Sequence, residues 1–308
     1  MTRAAQYDTT GGPEVLYIGE VADAAPGPGE VAVRVRAAGL NPFDGKLRSG
    51  FLPSEAPFPR RTGGDLAGTV EAVGEGAQYW DGAPIAVGDE VLGRAGGAVA
   101  ERVIASASEL ARRPVDLPVE VAGGLHVAGL TAVSVLTTVP VGPEDLVLVG
   151  GAAGGVGLVA AQLAVAAGAR VIGTASEGNH ELLRSLGIEP VAYGDGLAAR
   201  VSVLTDAGNP LSAVYDCHGR DALDAGVELG VPVDRMVGIA AYAAVGELGV
   251  HNVERAARTP QNLERLAARV AAGEIVLPVA ATYPLSEVVA AFTALEGAHA
   301  PGKIVVLP

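Results

Sequence analysis

The apolar run Asp145, Leu146, Val147, Leu148 and Val149 breaks abruptly into Gly150, Gly151, Ala152, Ala153, Gly154, Gly155, Val156 and Gly157. Leu158 to Ala167 then continue without a charge, Gly168 stands where a helix stop belongs, and Ala169 to Thr174 supply a second apolar run. The order is strand, glycine turn, buried helix, strand. Such a unit belongs to a parallel sheet with helices on its faces.

The glycines say what the turn is for. Backbone amides approach a pyrophosphate closely only where side chains are missing, and a helix that begins at the turn aims its free N–H groups and positive end at the anion. Gly154 and Gly157 fit the second and third glycines of G-x-G-x-x-G, with Ala152 at the first. In a chain with 43 glycines, a glycine run can also be a plain structural turn. Its position between strand and helix favours dinucleotide binding, with Ala153, Gly154, Gly155 and Val156 as the contact residues.

The end of the second strand bears on which dinucleotide is bound. An NAD site places an acid about 20 residues beyond the glycines, whereas a site for a 2′-phosphate avoids a carboxylate there. This chain offers Thr174, Ala175 and Ser176, with Asn179 and His180 as further donors and Arg184 one turn on. NADPH is favoured. Glu177, turned inward, would suit NAD instead, and Ser176 with Asn179 would also serve simply to cap the following helix.

Composition narrows the class. At 308 residues, 49% hydrophobic and 18% charged, the chain is long enough for two cored domains and too apolar for disorder. A net charge of -14 opposes nucleic acid and anionic membranes as partners. The single cysteine, Cys217, excludes an intramolecular disulfide and a thiolate-rich metal site, and suits a reducing cytoplasm. Neither a basic-then-apolar leader nor an uninterrupted membrane-length run is evident.

Texture divides the chain. From 1 to 118 the periodicity is strand-like: Val31, Val33 and Val35 alternate with Ala32, Arg34 and Arg36, and Val70–Val73 and Val87–Leu92 follow between glycines. This predicts an antiparallel, partly open β-barrel. From 119 to 273 helices alternate with apolar strands, including Ala213–Asp216 and Met236–Ala240, which predicts a doubly wound parallel sheet. The tail, 274 to 308, reads as strands Ile275–Ala280 and Lys303–Leu307 around a helix Leu285–Glu296, returning to the first domain.

The chain resembles the medium-chain dehydrogenase/reductase superfamily, in the zinc-free branch of NADPH:quinone oxidoreductases related to zeta-crystallin. The resemblance runs nearly end to end. It rests on Gly11-Gly12-Pro13-Glu14-Val15-Leu16, Gly39-Leu40-Asn41-Pro42-Phe43-Asp44 with Arg48-Ser49-Gly50, Gly64-Asp65-Leu66-Ala67-Gly68, Val87-Gly88-Asp89-Glu90-Val91, the 152–157 turn and Gly302-Lys303. It implies an α/β fold in which a GroES-like catalytic domain is formed by both chain ends around a Rossmann domain, with the cofactor cleft at their junction, and a homodimer. Zinc-dependent relatives carry a ligand cysteine where this chain has Asn41, a histidine–glutamate pair where it has Gly64 and Asp65, and a four-cysteine lobe that this chain lacks.

Without a Lewis acid to stabilise an alkoxide, acceptors that take hydride unaided fit better, namely quinones and activated enones. The resemblance implies roles for individual residues. Asn41 orients the nicotinamide ribose or bonds a substrate carbonyl, or is a turn residue before Pro42; Asp44 fixes the loop. Lys46, where some quinone reductases have a tyrosine, is a cation near a developing oxyanion or a solvated lysine. Thr131 contacts the nicotinamide end, and Tyr193 flanks the adenosine phosphate. Cys217, His218, Gly238 and Ile239 lie at strand ends on the cofactor edge, and Lys303 completes the cofactor set. A reductase of enoyl thioesters or biosynthetic intermediates and a non-enzymatic NADPH-binding protein remain as other readings.

Overall fold

The computed structural model describes residues 1–205, 209–297 and 301–308, which form two compact units, 1–128 with 259–308 and 129–258. In the first unit β1 (Thr2–Tyr7), β2 (Tyr17–Val21), β3 (Glu30–Gly39), α1 (Pro42–Arg48), β4 (Arg60–Arg61), β5 (Asp65–Val73), β6 (Glu90–Arg94), β7 (Arg102–Ser106) and β8 (Leu110–Arg112) precede the short α2 (Val119–Gly123). The alternation read at Val31, Val33 and Val35 is the inward face of β3, and all three pack in one core with Leu66, Val91 and Val103. β3 pairs antiparallel with β5, β7 and a late strand described below, so it is the spine of the unit. Val87–Asp89, read as strand from its apolar residues, turns instead: Gly88 has φ +95° and Val87 is exposed, and pairing starts at Glu90.

The second unit starts within α3 (Leu125–Thr138). It continues with β9 (Leu146–Gly150), α4 (Gly155–Ala166), β10 (Arg170–Thr174), α5 (His180–Ser185), β11 (Glu189–Val191), α6 (Leu197–Leu204), β12 (Ala213–Asp216), α7 (Asp221–Glu228), β13 (Met236–Gly238), α8 (Tyr242–Leu248) and β14 (His251–Asn252). Its six parallel strands run β11-β10-β9-β12-β13-β14. Val147 and Val149 pack into the core on one face, Leu146 and Leu148 into that on the other, which is why β9 reads as a continuous apolar run. Gly168 ends α4 with φ +92°, its N–H donating to Val165 O. Strand order reverses beside β9, and at such a switch point the carboxyl ends of the strands open a crevice.

The chain then re-enters the first unit with α9 (Pro260–Ala271), β15 (Val279–Pro284), α10 (Val288–Glu296) and β16 (Lys303–Leu307). Thr259 caps α9, accepting from Asn262 N–H, and the helix buries Leu263, Leu266 and Ala267. The strand expected over Ile275–Ala280 begins only at Val279, because Pro278 carries no N–H for a ladder. The Pro278 carbonyl instead accepts from Lys303 N–H at 2.9 Å. β15 runs parallel to β16, and β16 pairs antiparallel with β3 through Val305↔Gly39 and Val306↔Ala38. Among the described residues, no helix is long and apolar enough to cross a membrane.

Candidate functional site

The glycine turn is closed from beneath. Gly151, at φ +67°, donates its N–H to Thr174 Oγ1 at 2.9 Å, and Ala152 N–H donates to Thr174 O at 2.9 Å. Thr174 is buried, and its hydroxyl holds the turn from below. A Cβ on Gly157 would stand 2.2 Å from Gly151 O, so only glycine lets α4 pack this tightly against the turn. Gly154 is the exposed N-cap of α4, followed by the partly exposed Gly155 and Val156, while Ala153 is buried beside it. The first amides of this 12-residue helix have no partner within it, and its positive end lies there.

The neighbouring strand ends bring more of the expected residues to the same edge. Just past β10, Asn179 Nδ2 donates to Ser176 Oγ at 3.1 Å, and the His180 ring nitrogen Nε2 lies 3.2 Å from Ala175 O. Asn179 occupies the N-cap of α5 but makes no side-chain cap bond, so Ser176 and Asn179 are joined to each other rather than to the helix. β10 and β11 pair Thr174 with Val191, which sets Ser176 and Tyr193 each two residues beyond that pair. Tyr193 is 58% exposed.

On the other side of β9, Gly150 pairs with Asp216, and Asp216 with Gly238. Cys217 and His218 follow Asp216, and Ile239 N–H donates to Asp216 O at 3.0 Å. Burial pushes the Cys217 thiol far above the ordinary thiol range, with Asp216 adding to it, which disfavours the thiolate form. Asp216, absent from the sequence-derived set, is the organiser here. Its Oδ1 accepts from His218 N–H at 3.2 Å and Gly219 N–H at 2.9 Å, while its buried Oδ2 has no hydrogen-bond partner. Burial raises its carboxyl, against the pull of those amides. Thr131 lies buried on α3 in the same unit.

Asn41, Asp44, Lys46 and Lys303 belong to the first unit. Asn41 caps α1: its N–H donates to Asp44 Oδ2 at 2.9 Å, and Asp44 N–H returns a bond to Asn41 O at 2.9 Å. The Lys303 ammonium, on β16, donates to Leu40 O at 2.7 Å and Asn41 Oδ1 at 2.5 Å and lies 3.9 Å from Asp65 Oδ2. Asp65 Oδ1 accepts from Val127 N–H at 3.2 Å. The side chains of Asn41, Asp44, Asp65 and Lys303 are all buried. Burial, with Asp65 close by, pushes Asp44 up to about 7, against the Asn41 N–H and Lys303. Burial likewise pushes Asp65 up to about 6, and Lys303 pulls it back. Burial lowers Lys303, and the two carboxylates oppose that. Lys303, expected among the cofactor contacts, therefore joins the Asn41–Asp44 group in this structure. Lys46 is only partly buried, its ammonium 5.9 Å from the centre of the exposed Phe51 ring.

Comparison with known proteins supplies the family context. Residues 27–118 match the alcohol dehydrogenase GroES-like domain, and 186–306 match the model described as zinc-binding dehydrogenase. The chain is 33% identical to a quinone oxidoreductase of Pseudomonas aeruginosa over 100% of both chains. It is 31% identical to a 2-haloacrylate reductase of a Burkholderia species over 100% of this chain and 99% of that one. Among solved structures, a mycobacterial protein complexed with NADPH superposes with a TM-score of 0.86 at 32% identity, covering 100% of both chains.

Proposed function

This chain belongs to the medium-chain dehydrogenase/reductase superfamily, in its quinone oxidoreductase branch, and from that membership we propose that it passes a hydride from NADPH to a quinone or activated enone without a metal. The cofactor is NADPH, which supplies the hydride when bound. The observation that carries the reading is the edge of the parallel sheet, where the open amino end of α4 and the Ser176–Asn179 pair stand together with no carboxylate in Thr174–Ala175–Ser176. The α4 amides bind the pyrophosphate. Asn179 donates to Ser176 Oγ, which leaves the serine proton to be donated to the 2′-phosphate. Asp216 holds the 217–219 backbone, and with it Cys217 and His218, at the same crevice.

Zinc, implied by the description of the second matched model, does not fit. At the positions where the resemblance places the ligands of zinc-dependent relatives, Gly64 has no side chain, the Asn41 oxygen is bonded to Lys303 Nζ, and the same ammonium lies 3.9 Å from Asp65. A dication beside that buried ammonium meets repulsion in a low dielectric. Among the described residues no three His, Cys, Asp or Glu side chains converge on a metal position. Asn41 and Asp44, tied by reciprocal bonds, keep the Asn41–Pro42 turn in one conformation. Without a Lewis acid, the chemistry relies on holding a flat electrophile against the dihydronicotinamide, and quinones and enones are acceptors of that kind.

The enone alternative draws support from the 2-haloacrylate reductase relative. A homodimer in a reducing cytoplasm completes the proposal. The test is NADPH oxidation by the purified chain against simple quinones, enones and enoyl thioesters, with NADH in parallel. Turnover of quinones or enones with NADPH supports the reading. Preference for a thioester redirects it, and NADPH binding without oxidation by any acceptor overturns it.

A further inference from the structure

The loop between β11 and α6 is built around one side chain. The Arg200 guanidinium donates to four consecutive carbonyls: Nε to Ala192 O at 3.0 Å, Nη2 to Tyr193 O at 3.1 Å and Gly194 O at 3.0 Å, and Nη1 to Asp195 O at 2.7 Å. Four carbonyls turned toward one point repel one another, and the planar five-donor fork of arginine answers several of them at once where lysine offers three donors from a single atom. Gly194 at φ +89° and Gly196 at φ +75° supply the left-handed conformations that curl the loop around it. Arg200 lies in the first turn of α6, where the helix's positive end disfavours a cation. The carbonyls offset that cost, so the arrangement is specific to this loop rather than a consequence of helix formation.

The clamped loop carries Tyr193. Its backbone is bonded while its side chain stays 58% exposed, and both Tyr193 and Ser176 follow the carboxyl ends of the adjacent parallel strands β11 and β10, which pair as far as Thr174–Val191. A rigid backbone with an exposed phenol is preorganised: the entropy of ordering the side chain's support has been met before a ligand arrives. We propose that Arg200 is a positioning residue that sets the preference for NADPH over NADH, by holding Tyr193 opposite Ser176 where the 2′-phosphate of the adenosine ribose is received. The inference rests on the NADPH reading above. Arg200 itself acts through the loop carbonyls and is not assigned a contact with the cofactor.

The experiment uses the full chain and its R200M, R200K and Y193A variants, with binding of NADPH, NADH, 2′,5′-ADP and 5′-AMP measured by calorimetry and turnover by NADPH oxidation. R200M is expected to weaken NADPH and 2′,5′-ADP tenfold or more, and NADH and 5′-AMP less than twofold. KM for NADPH rises while kcat at saturation stays within twofold, and R200K recovers only part of the loss. Adding R200M to Y193A has little further effect, because both act through one contact. Equal weakening of the phosphorylated and unphosphorylated ligands, or a fall in Tm without a change in their ratio, assigns Arg200 a purely structural role and overturns the inference. If R200M does not fold, R200K, which keeps the charge but not the fork, carries the same comparison. A parent chain that binds NADPH and NADH equally overturns the NADPH reading itself, whatever the variants do.

Discussion

Lys303 Nζ lies 2.5 Å from Asn41 Oδ1. An ammonium only donates, so the amide oxygen and not its nitrogen faces Lys303, which settles the orientation of Asn41 without reference to any ligand. One buried cation thus joins the turn before α1 to Asp65 at the start of β5.

Removal of that cation strands the carboxylates. Lys303→Met is expected to cost ~3–5 kcal/mol in urea unfolding, the scale for breaking a buried charge pair from one side. Adding Asp65→Asn should recover part of the loss. A single-variant cost below ~1 kcal/mol, as for an exposed pair, would show that the network contributes little.

Asp44 makes stability pH-dependent in an unusual direction. Its carboxyl is raised from 3.8 to about 7 in the fold, so between those values the folded chain holds a proton that the unfolded chain releases. That contribution therefore favours folding in acid and is progressively lost as pH rises from ~4 to ~7, the reverse of a paired surface carboxylate. Asp44→Asn, an uncharged acceptor in the same place, should flatten this part of the curve. Unfolding free energies of parent and variant compared at pH 5 and pH 8 give the sign, and a difference that does not change between them disproves the assignment.

Gly157→Ala tests the turn. The added methyl would lie 2.2 Å from Gly151 O, and backbone cannot yield as a flexible side chain does. Overpacking of this kind costs ~1–3 kcal/mol, and the displaced turn should weaken NADPH binding at least tenfold. Unchanged affinity would mean that the turn is not the pyrophosphate site.

Ser176→Ala with Asn179→Ala should reduce the NADPH-to-NADH affinity ratio toward one while leaving NADH binding nearly constant. Parallel titrations of the two cofactors measure it. An unchanged ratio removes this pair from the phosphate site.

Elemental analysis of the purified chain should find no stoichiometric zinc, and chelators should leave NADPH oxidation unchanged. One zinc per chain, lost together with activity, would contradict the poor fit of Asn41, Gly64 and Lys303 to a metal.

The parts legible in the sequence are those where a residue type answers a local demand. Gly157 must be glycine because a backbone oxygen occupies its Cβ position, Gly168 because φ is +92°, and the apolar run of β9 because both its faces are covered. Strand limits were less legible. At Val87 hydrophobicity pointed to a strand while Gly88 turned the chain, and at Ile275–Pro278 burial of Ile275 and Leu277 imitated a strand that Pro278 delays. Two side-chain networks, one in each unit, left little local signal. Lys303 meets Asn41 across 262 positions, and Arg200 binds carbonyls, which every residue carries whatever its side chain. Asp216 stood in plain view beside Cys217 and His218, yet its work is done through backbone amides.

The pairing of β16 with β3 gives the polypeptide an order of assembly. The stretch 129–258 has its whole sheet in hand as soon as it leaves the ribosome, whereas the unit begun by Met1 still lacks the strand that closes onto Gly39 and Ala38. Although domains generally mature from the amino end during synthesis, the first unit to be translated is here the last to be completed. Until Lys303 arrives, the nascent chain holds Asp65 without its counter-charge and the Asn41 amide oxygen without its donor. Translation of β16 thus supplies the cation that the buried Asn41–Asp65 network needs.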